Sequence, residues 1–264
     1  MKRATEEFEE VAVEAAHAGG AVLRRRFSDR ERLTVEVKAR HDYVTAVDRE
    51  AEAAVVAVLR RRFPAHAILA EEGSTGGAHA TYRWIVDPLD GTTNFIHGVP
   101  AFAVSIGLTD ESGLIAGAVH DPCRGETFHA HRGGGAFLNG SRIACTHLDH
   151  LDAALIATGF PFREMVHLPA YLAAFERFVR STSGLRRAGS ASLDLVYTAC
   201  GRYDGFFEVG LKPWDLAGGA LVVMEAGGIV TDVHGGREFL REGSVVAAGA
   251  RLHAAMLAIT RETL

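Results

Sequence analysis

Apolar residues recur at helical spacing from Glu6 to Phe27. Phe8, Val11, Ala15, Ala18, Val22 and Leu23 share a face, which predicts an amphipathic first helix. Thr45 to Phe63 repeats the pattern and predicts a second. Between them "LTVEVKA" alternates at Leu33, Val35 and Val37 as a half-buried strand does, with His41-Asp42 as the turn that follows. "AILAEEGS", "YRWIVDPLDG", "AFAVSIGLTDESGLIAGAVHDP" and "GETFHAHRGGGAFLNGSRI" then form a succession of strand-like pieces broken by Gly, Asp and Pro. Together they predict a broad, largely antiparallel sheet.

After about residue 145 the pattern changes. A strand is expected at Ala154 to Thr158, helices at Leu168 to Arg180, Ser192 to Cys200 and Leu216 to Ala226, short strands at "GGIVTDV" and "SVVAAG", and a last helix from Ala250 to Glu262. This is the alternation of an α/β unit. Residues 1–145 therefore read as an N-terminal α+β part and 146–264 as a C-terminal α/β part. No internal repeat, low-complexity tract or linker separates them, so the two are expected to pack tightly.

At 264 residues and 48% hydrophobic, the chain is long and apolar enough to bury a substantial core. A formal net charge of −5 argues against a surface built to hold nucleic acid or anionic lipid. The arginine triplets Arg24 to Arg26 and Arg60 to Arg62 each end a helical segment, where cations suit the helix dipole and solvent. Cys123, Cys145 and Cys200 are odd in number and lack a paired spacing, which reads as reduced thiols in a cytoplasmic protein. Glu6, Glu7, Glu9 and Glu10 stand where a signal peptide needs apolar residues. Gly91 to Thr109 lacks charge, but Asn94, His97, Gly98 and Pro100 make it a poor membrane span, so no anchor is expected.

The stretch "WIVDPLDGTTNFIHG" carries the chemistry. Trp84, Ile85 and Val86 read as a buried strand, with Asp87 where it leaves the sheet, and a carboxylate there is costly unless a cation holds it. Pro88 restricts the turn, Asp90 presents a second carboxylate, and Gly91 allows close backbone approach. A helix starting at Thr92 or Thr93 would point free N–H groups at a phosphate. Taken alone, Asp90 as an N-cap and Asp87 as a turn residue explain the motif equally well. Three further stretches add carboxylates at element ends: Glu71 and Glu72 in "LAEEG", Asp48 in "TAVD" and Asp215 in "PWDLAGG". A set of oxygen donors of this kind suits magnesium, which keeps water and substrate phosphate beside a few carboxylates.

On the motifs "AEEGS", "WIVDPLDGTTNFIHGVPAFAVSIGL", "GAFLNGSRI", "ATGFPF" and "RRAGSASLDLVYTACGRYDGFFEVGLKPWDLAGGALVVMEAGG", which span most of the chain, the sequence resembles the inositol monophosphatase family and most resembles its bacterial branch. That is a branch of the lithium-sensitive, magnesium-dependent phosphatase superfamily. The resemblance implies a layered α/β/α/β/α sandwich of the sugar-phosphatase type, with a large antiparallel sheet and a smaller C-terminal sheet. It implies two to three magnesium ions: one on Glu71, Asp87 and the Leu89 carbonyl, a second on Asp87, Asp90 and Asp215, and a weaker third on Glu71 mainly through water. Glu71 and Thr92 would position and deprotonate the attacking water, Asp48 would hold the Thr92 hydroxyl, and the Gly91 and Thr92 N–H groups would hold phosphate. Asp90, Glu208 and the backbone of Gly189, Ser190 and Ala191 would face the polyol, and Lys38 matches a lysine near the reactive water. Glu208 as a surface ion-pair partner and Lys38 as a snorkelling strand lysine remain open.

His129 and His131, two apart on an expected strand with no second ligand pair, make a poor zinc site. "HRGGGAFLNG" lacks the Lys-Ser/Thr of a phosphate loop and reads as a hairpin. The expected activity is hydrolysis of inositol 1-phosphate and related polyol or sugar phosphates, with "GTTNF" favouring the inositol-type branch. Histidinol phosphate, fructose 1,6-bisphosphate or a nucleotide phosphate stays open as substrate. A homodimer is expected by resemblance. Association with transcription machinery is the alternative role, because the bacterial branch includes such members.

Overall fold

The computed structural model describes residues 2–29, 35–39, 42–75, 80–162 and 165–264, with side chains left out for 2–4, 35–39, 42–45 and 74–75. Five layers stack in the order helix, sheet, helix, sheet, helix, as the family resemblance implied. The outer pair is α1 (Lys2–Ser28) and α2 (Ala46–Arg62), with the hairpin β1 (Val35–Ala39) and β2 (Asp42–Thr45) between them in the chain. Asp42, expected in a turn, opens β2, and His41 lies outside the described residues. Phe8, Val11, Ala15 and Leu23 of α1 and Val47, Val55 and Leu59 of α2 bury one face against Trp84, Val86, Val104 and Ile106 of the first sheet. The basic triplets tie the two helices together: Arg25 and Arg26 meet Glu50, while Arg61 and Arg62 meet Glu14. All are solvent-exposed pairs, so each adds little stability.

The first sheet has eight strands among the described residues. They are β3 (Ala67–Ala70), β4 (Ser74–Thr75), β5 (Arg83–Asp90), β6 (Ala103–Asp110), β7 (Gly113–Asp121), β8 (Glu126–His131), β9 (Gly135–Leu138) and β10 (Ser141–Ile143), in the order β10-β9-β8-β7-β6-β5-β3-β4. Every pairing is antiparallel except β3 with β5. "HRGGGAFLNG" is the β8 to β9 hairpin that the sequence predicts. His129 and His131 of β8 both bond through Nδ1 to Glu9 of α1, so these histidines are hydrogen-bond partners of one carboxylate.

The second sheet holds β11 (Leu155–Thr158), β12 (Gly184–Arg186), β13 (Gly205–Val209), β14 (Gly228–Thr231) and β15 (Ser244–Gly249), in the order β12-β11-β13-β15-β14. β11 runs parallel to β12 and β13, and the other two pairings are antiparallel. Its outer face is covered by α4 (Leu168–Ser181) and α8 (Ala250–Thr263), with Tyr171, Phe178, Phe207 and Met256 in the contact, and the single turn α7 (Phe239–Glu242) leads into β15. Between the two sheets lie α5 (Ala191–Ala199) and α6 (Pro213–Glu225), buried all round over most of their length because both sides are covered.

The close seat of α6 positions the site. A Cβ at Gly107 of β6 would come within 2.6 Å of the Ala217 Cβ, and one at Gly117 of β7 within 2.8 Å of the Gly218 carbonyl oxygen. Bare backbone on the sheet thus lets the helix lie nearly in contact with it. Ser105 of β6 donates to the Trp214 carbonyl at 3.2 Å and fixes the first turn of α6 beside β5. No helix among the described residues is long and apolar enough to cross a membrane. The three thiols are free; burial pushes Cys145 up to about 12 and Cys123 up to about 11, so neither is a poised nucleophile.

Candidate active site

Strand register brings the carboxylates together. β3 lies parallel to β5 with Ala70 opposite Val86, so Glu71, the next residue, stands beside Asp87 at the strand ends, and its N–H donates to the Val86 carbonyl at 3.3 Å. Asp87 and Asp90 are three apart, which in a regular strand puts them on opposite faces. β5 does not end at Asp87, as the sequence suggested; it continues to Asp90 through a bulge. Asp87 faces Ser105 and Asp90 faces Ala103, so β5 uses one residue more than β6 across the same stretch. The extra residue returns Asp90 to the side of Asp87, and Pro88, which has no N–H to lose, occupies the irregularity.

Asp215 arrives from the third helical position of α6, where its Oδ2 accepts from the Lys212 N–H at 2.7 Å. One carboxylate oxygen from each of Asp87, Asp90 and Asp215 lies within 4.8 Å of the others, and all three residues are buried. Burial raises Asp87 well above the usual carboxylate range, and the charges of Glu71, Asp90 and Asp215 push it the same way. Burial raises Asp90 too, against hydrogen bonds from Ser190 and Ser192. Such an acid cluster is neutralised either by bound protons or by a cation. Its donors are all hard oxygens, so the residues fit magnesium and do not fit a metal that selects sulfur or imidazole.

The surrounding loops are held rigidly. Gly91 caps α3 (Thr92–His97) in the left-handed conformation with φ 98°, and a Cβ there would meet the Ala101 carbonyl oxygen at 2.9 Å. The Thr92 hydroxyl lies 3.1 Å from Asp48 Oδ1 and 3.1 Å from the Leu89 carbonyl oxygen. Asp48 itself is buried in the first turn of α2. The Leu89 N–H donates to Asp87 Oδ1 at 3.0 Å. Glu208 on β13, Gly189, Ser190 and Ala191 line the same cavity of about 400 Å³ as the carboxylates. A Cβ at Gly159 would overlap the Glu208 carboxylate, so that glycine clears the space the carboxylate occupies. Lys38 stands on β1, where its side chain lies outside the described residues.

Three features are absent from the sequence reading. Asp90 Oδ2 accepts from the Ser190 hydroxyl at 2.6 Å, the Ser192 N–H at 2.7 Å and the Ser192 hydroxyl at 2.5 Å. That oxygen is saturated, which leaves Oδ1 for a cation. Serines spaced two apart at a helix start are a capping signal, and here they cap a side chain on another sheet. Asn94 donates to the carbonyls of Ala101 at 2.7 Å and Ala188 at 2.9 Å, joining α3 to the loop before α5.

Asp194, in the first turn of α5, is buried with Oδ1 lacking any hydrogen-bond partner. Burial raises its carboxyl well above the usual range, and Glu208 and Asp90 add to the effect. A carboxyl raised on folding contributes stability that is complete below its unfolded pKa and is lost as pH rises through the folded value. Asp194→Asn should therefore raise the melting temperature at neutral pH, by about 2–4 °C per kcal/mol recovered. The gain should shrink as pH falls toward 4. Melting curves of both proteins across pH measure this, and a gain independent of pH would contradict the assignment.

A buried cluster of carboxylates between the two sheets of an αβαβα sandwich defines the class, a sugar-phosphatase-type fold with a set of hard-oxygen donors suited to a divalent cation. The chain belongs to the inositol monophosphatase family, which it matches over residues 4–264. It is 49% identical over 252 residues to Nus factor SuhB of Pseudomonas aeruginosa, covering 94% of this chain and 93% of that one. Extragenic suppressor protein suhB of Bartonella henselae has the same fold with a TM-score of 0.92 at 39% identity, covering 97% of this chain and 98% of that one. Inositol monophosphatase from Anabaena (Nostoc) sp. PCC 7120 follows at 0.88 and 37%, covering 98% and 97%.

Proposed function

We propose that the protein is a magnesium-dependent phosphomonoesterase that hydrolyses inositol 1-phosphate and related polyol or sugar phosphates in the cytoplasm. The observation that carries this reading is the convergence of Asp87, Asp90 and Asp215 within 4.8 Å, at the wall of a cavity that Glu208 also lines. Glu71, Asp87 and the Leu89 carbonyl would hold one ion, Asp87, Asp90 and Asp215 a second, and Glu71 would support a third. Magnesium supplies positive charge that lowers the pKa of water and offsets charge on the attacking and leaving oxygens.

The chain's own groups do the rest. The Thr92 hydroxyl donates its hydrogen bond to Asp48 Oδ1 and turns its lone pairs to the cavity, where they orient the attacking water. Glu71 takes a proton from that water as its oxygen bonds to phosphorus and the ester P–O bond breaks, and the leaving polyol oxygen takes a proton from solvent water. The Gly91 and Thr92 N–H groups hold the phosphoryl oxygens where charge accumulates. Glu208 accepts hydrogen bonds from substrate hydroxyls, and the backbone from Gly189 to Ala191 lines the polyol side.

Phosphate release from a panel of inositol, sugar, histidinol and nucleotide phosphates, with magnesium and then with chelator, tests the reading. Magnesium-dependent turnover fastest on inositol 1-phosphate supports it, and absence of turnover on every compound would overturn it. Thr92→Ala should lower kcat by about a hundredfold with a much smaller change in KM, with Thr92→Ser restoring most of the rate. A change confined to KM would make Thr92 a substrate-binding residue instead.

A second reading, association with transcription machinery, is favoured by the name Nus factor carried by the 49% identical relative. It is compatible with turnover. Affinity capture with wild type and with Asp87→Asn separates the two, since a binding role does not require the metal site. Sizing in solution tests the homodimer that the family resemblance implies.

A further inference from the structure

Three donors converge on one oxygen of Asp90, and all three come from the start of α5. The Ser190 hydroxyl donates to Oδ2 at 2.6 Å, the Ser192 N–H at 2.7 Å and the Ser192 hydroxyl at 2.5 Å. Both serines are almost fully buried, so solvent does not compete for these bonds. Helix capping accounts for the N–H alone. It is one of the donors that the first turn of any helix leaves without a partner, and Asp90 satisfies it from another segment. Ser190 stands at the N-cap position of α5 yet makes no side-chain cap; its hydroxyl turns to Asp90 instead. The two hydroxyls therefore serve the carboxylate and not the helix.

A carboxylate oxygen has about two acceptor positions, and the three donors fill them. Asp90 is left with Oδ1 to give to a cation. The helix that supplies these donors is in turn seated on the helix that carries Asp215. A Cβ at Gly219 of α6 would come within 2.7 Å of the Leu195 Cβ and 3.3 Å of the Ser192 carbonyl oxygen. The missing side chain lets α5 and α6 touch at Ser192, so this serine ties the position of Asp90 to that of Asp215. Two hard cations differ in how they use such a ligand. Calcium gathers about six to eight oxygens in a flexible shell and often takes both oxygens of one carboxylate, whereas magnesium demands a compact octahedral shell. An acid restricted to one oxygen and held in place handicaps calcium more than magnesium.

We propose that Ser190 and Ser192 are positioning residues that hold Asp90 as a one-oxygen ligand and thereby bias the site toward magnesium over calcium. This rests on the metal-site reading given under the proposed function and deepens it, since it assigns ion discrimination to side chains that touch neither the ion nor the substrate.

Thermal denaturation across magnesium and calcium titrations gives an apparent Kd for each ion without any turnover. The ratio of the calcium Kd to the magnesium Kd should fall at least about fivefold in the double variant Ser190→Ala/Ser192→Ala, which keeps only the N–H donor, and by a smaller factor in Ser192→Ala. Melting curves in chelator establish that each variant is folded. If the double variant does not fold, Ser192→Ala decides by the same ratio. A merely structural role for the serines would lower the melting temperature in chelator and leave the ratio unchanged, and that result overturns the proposal. Wild type that gains no stability from either ion would remove the metal site and the inference with it. A gain in wild type with a ratio indifferent to both serines would remove the inference alone.

Discussion

Asp87→Asn is expected to lower magnesium-dependent phosphate release by at least about a hundredfold, with the fold intact. Asp87 is the one carboxylate that both principal ion positions require in the proposed arrangement. It is buried beside Glu71, Asp90 and Asp215, so no solvent-exposed group can replace it. The amide keeps the shape of the side chain and can still accept from the Leu89 N–H, which is 3.0 Å away in the wild type. It loses the charge that holds a cation. Steady-state assays at saturating magnesium check this, and turnover within a few-fold of wild type would remove Asp87 from the metal site.

The same substitution should act in the opposite direction on stability when metal is withheld. Burial, and then the charges of three neighbouring acids, raise Asp87 well above its ordinary pKa. Its contribution to stability is complete below about 3.8, the unfolded value, and is lost as pH rises through the raised folded value. At neutral pH in chelator the wild type therefore carries a strained cluster that Asp87→Asn relieves. The variant should melt at a higher temperature than wild type in chelator at pH 7.5, with the difference narrowing toward pH 4. Melting curves in chelator at several pH values measure it. A variant that is less stable throughout would mean that the cluster is compensated by protein groups alone.

The pattern of apolar residues revealed most of the helices and strands, because α1, α2, α4 and α8 each bury one face and leave the other in water. It also located the carboxylates, since Asp87 and Glu71 interrupt apolar runs where a charge has no local reason to be. What it missed depends on contacts between distant segments. The bulge in β5 is visible only once Asp87 is paired with Ser105 and Asp90 with Ala103. Ser192 reads as a small residue at a helix start, and its bond to Asp90 crosses about a hundred residues of sequence, from one sheet to the helix layer beneath the other. Glu9 with His129 and His131 spans a similar separation. Asp194 offered no signal either, because a buried acid without a partner looks in sequence like any helix-capping aspartate.

The claim on which the account rests is that Asp87, Asp90 and Asp215 hold magnesium together, and a magnesium titration followed by thermal denaturation of wild type and Asp87→Asn tests it most directly. Magnesium that binds the native chain and not the unfolded one should stabilise wild type by about 2.7 kcal/mol at a hundred times its Kd. The account predicts a rising melting temperature for wild type and a much smaller rise for the variant over the same concentrations. Identical rises in the two proteins would contradict it.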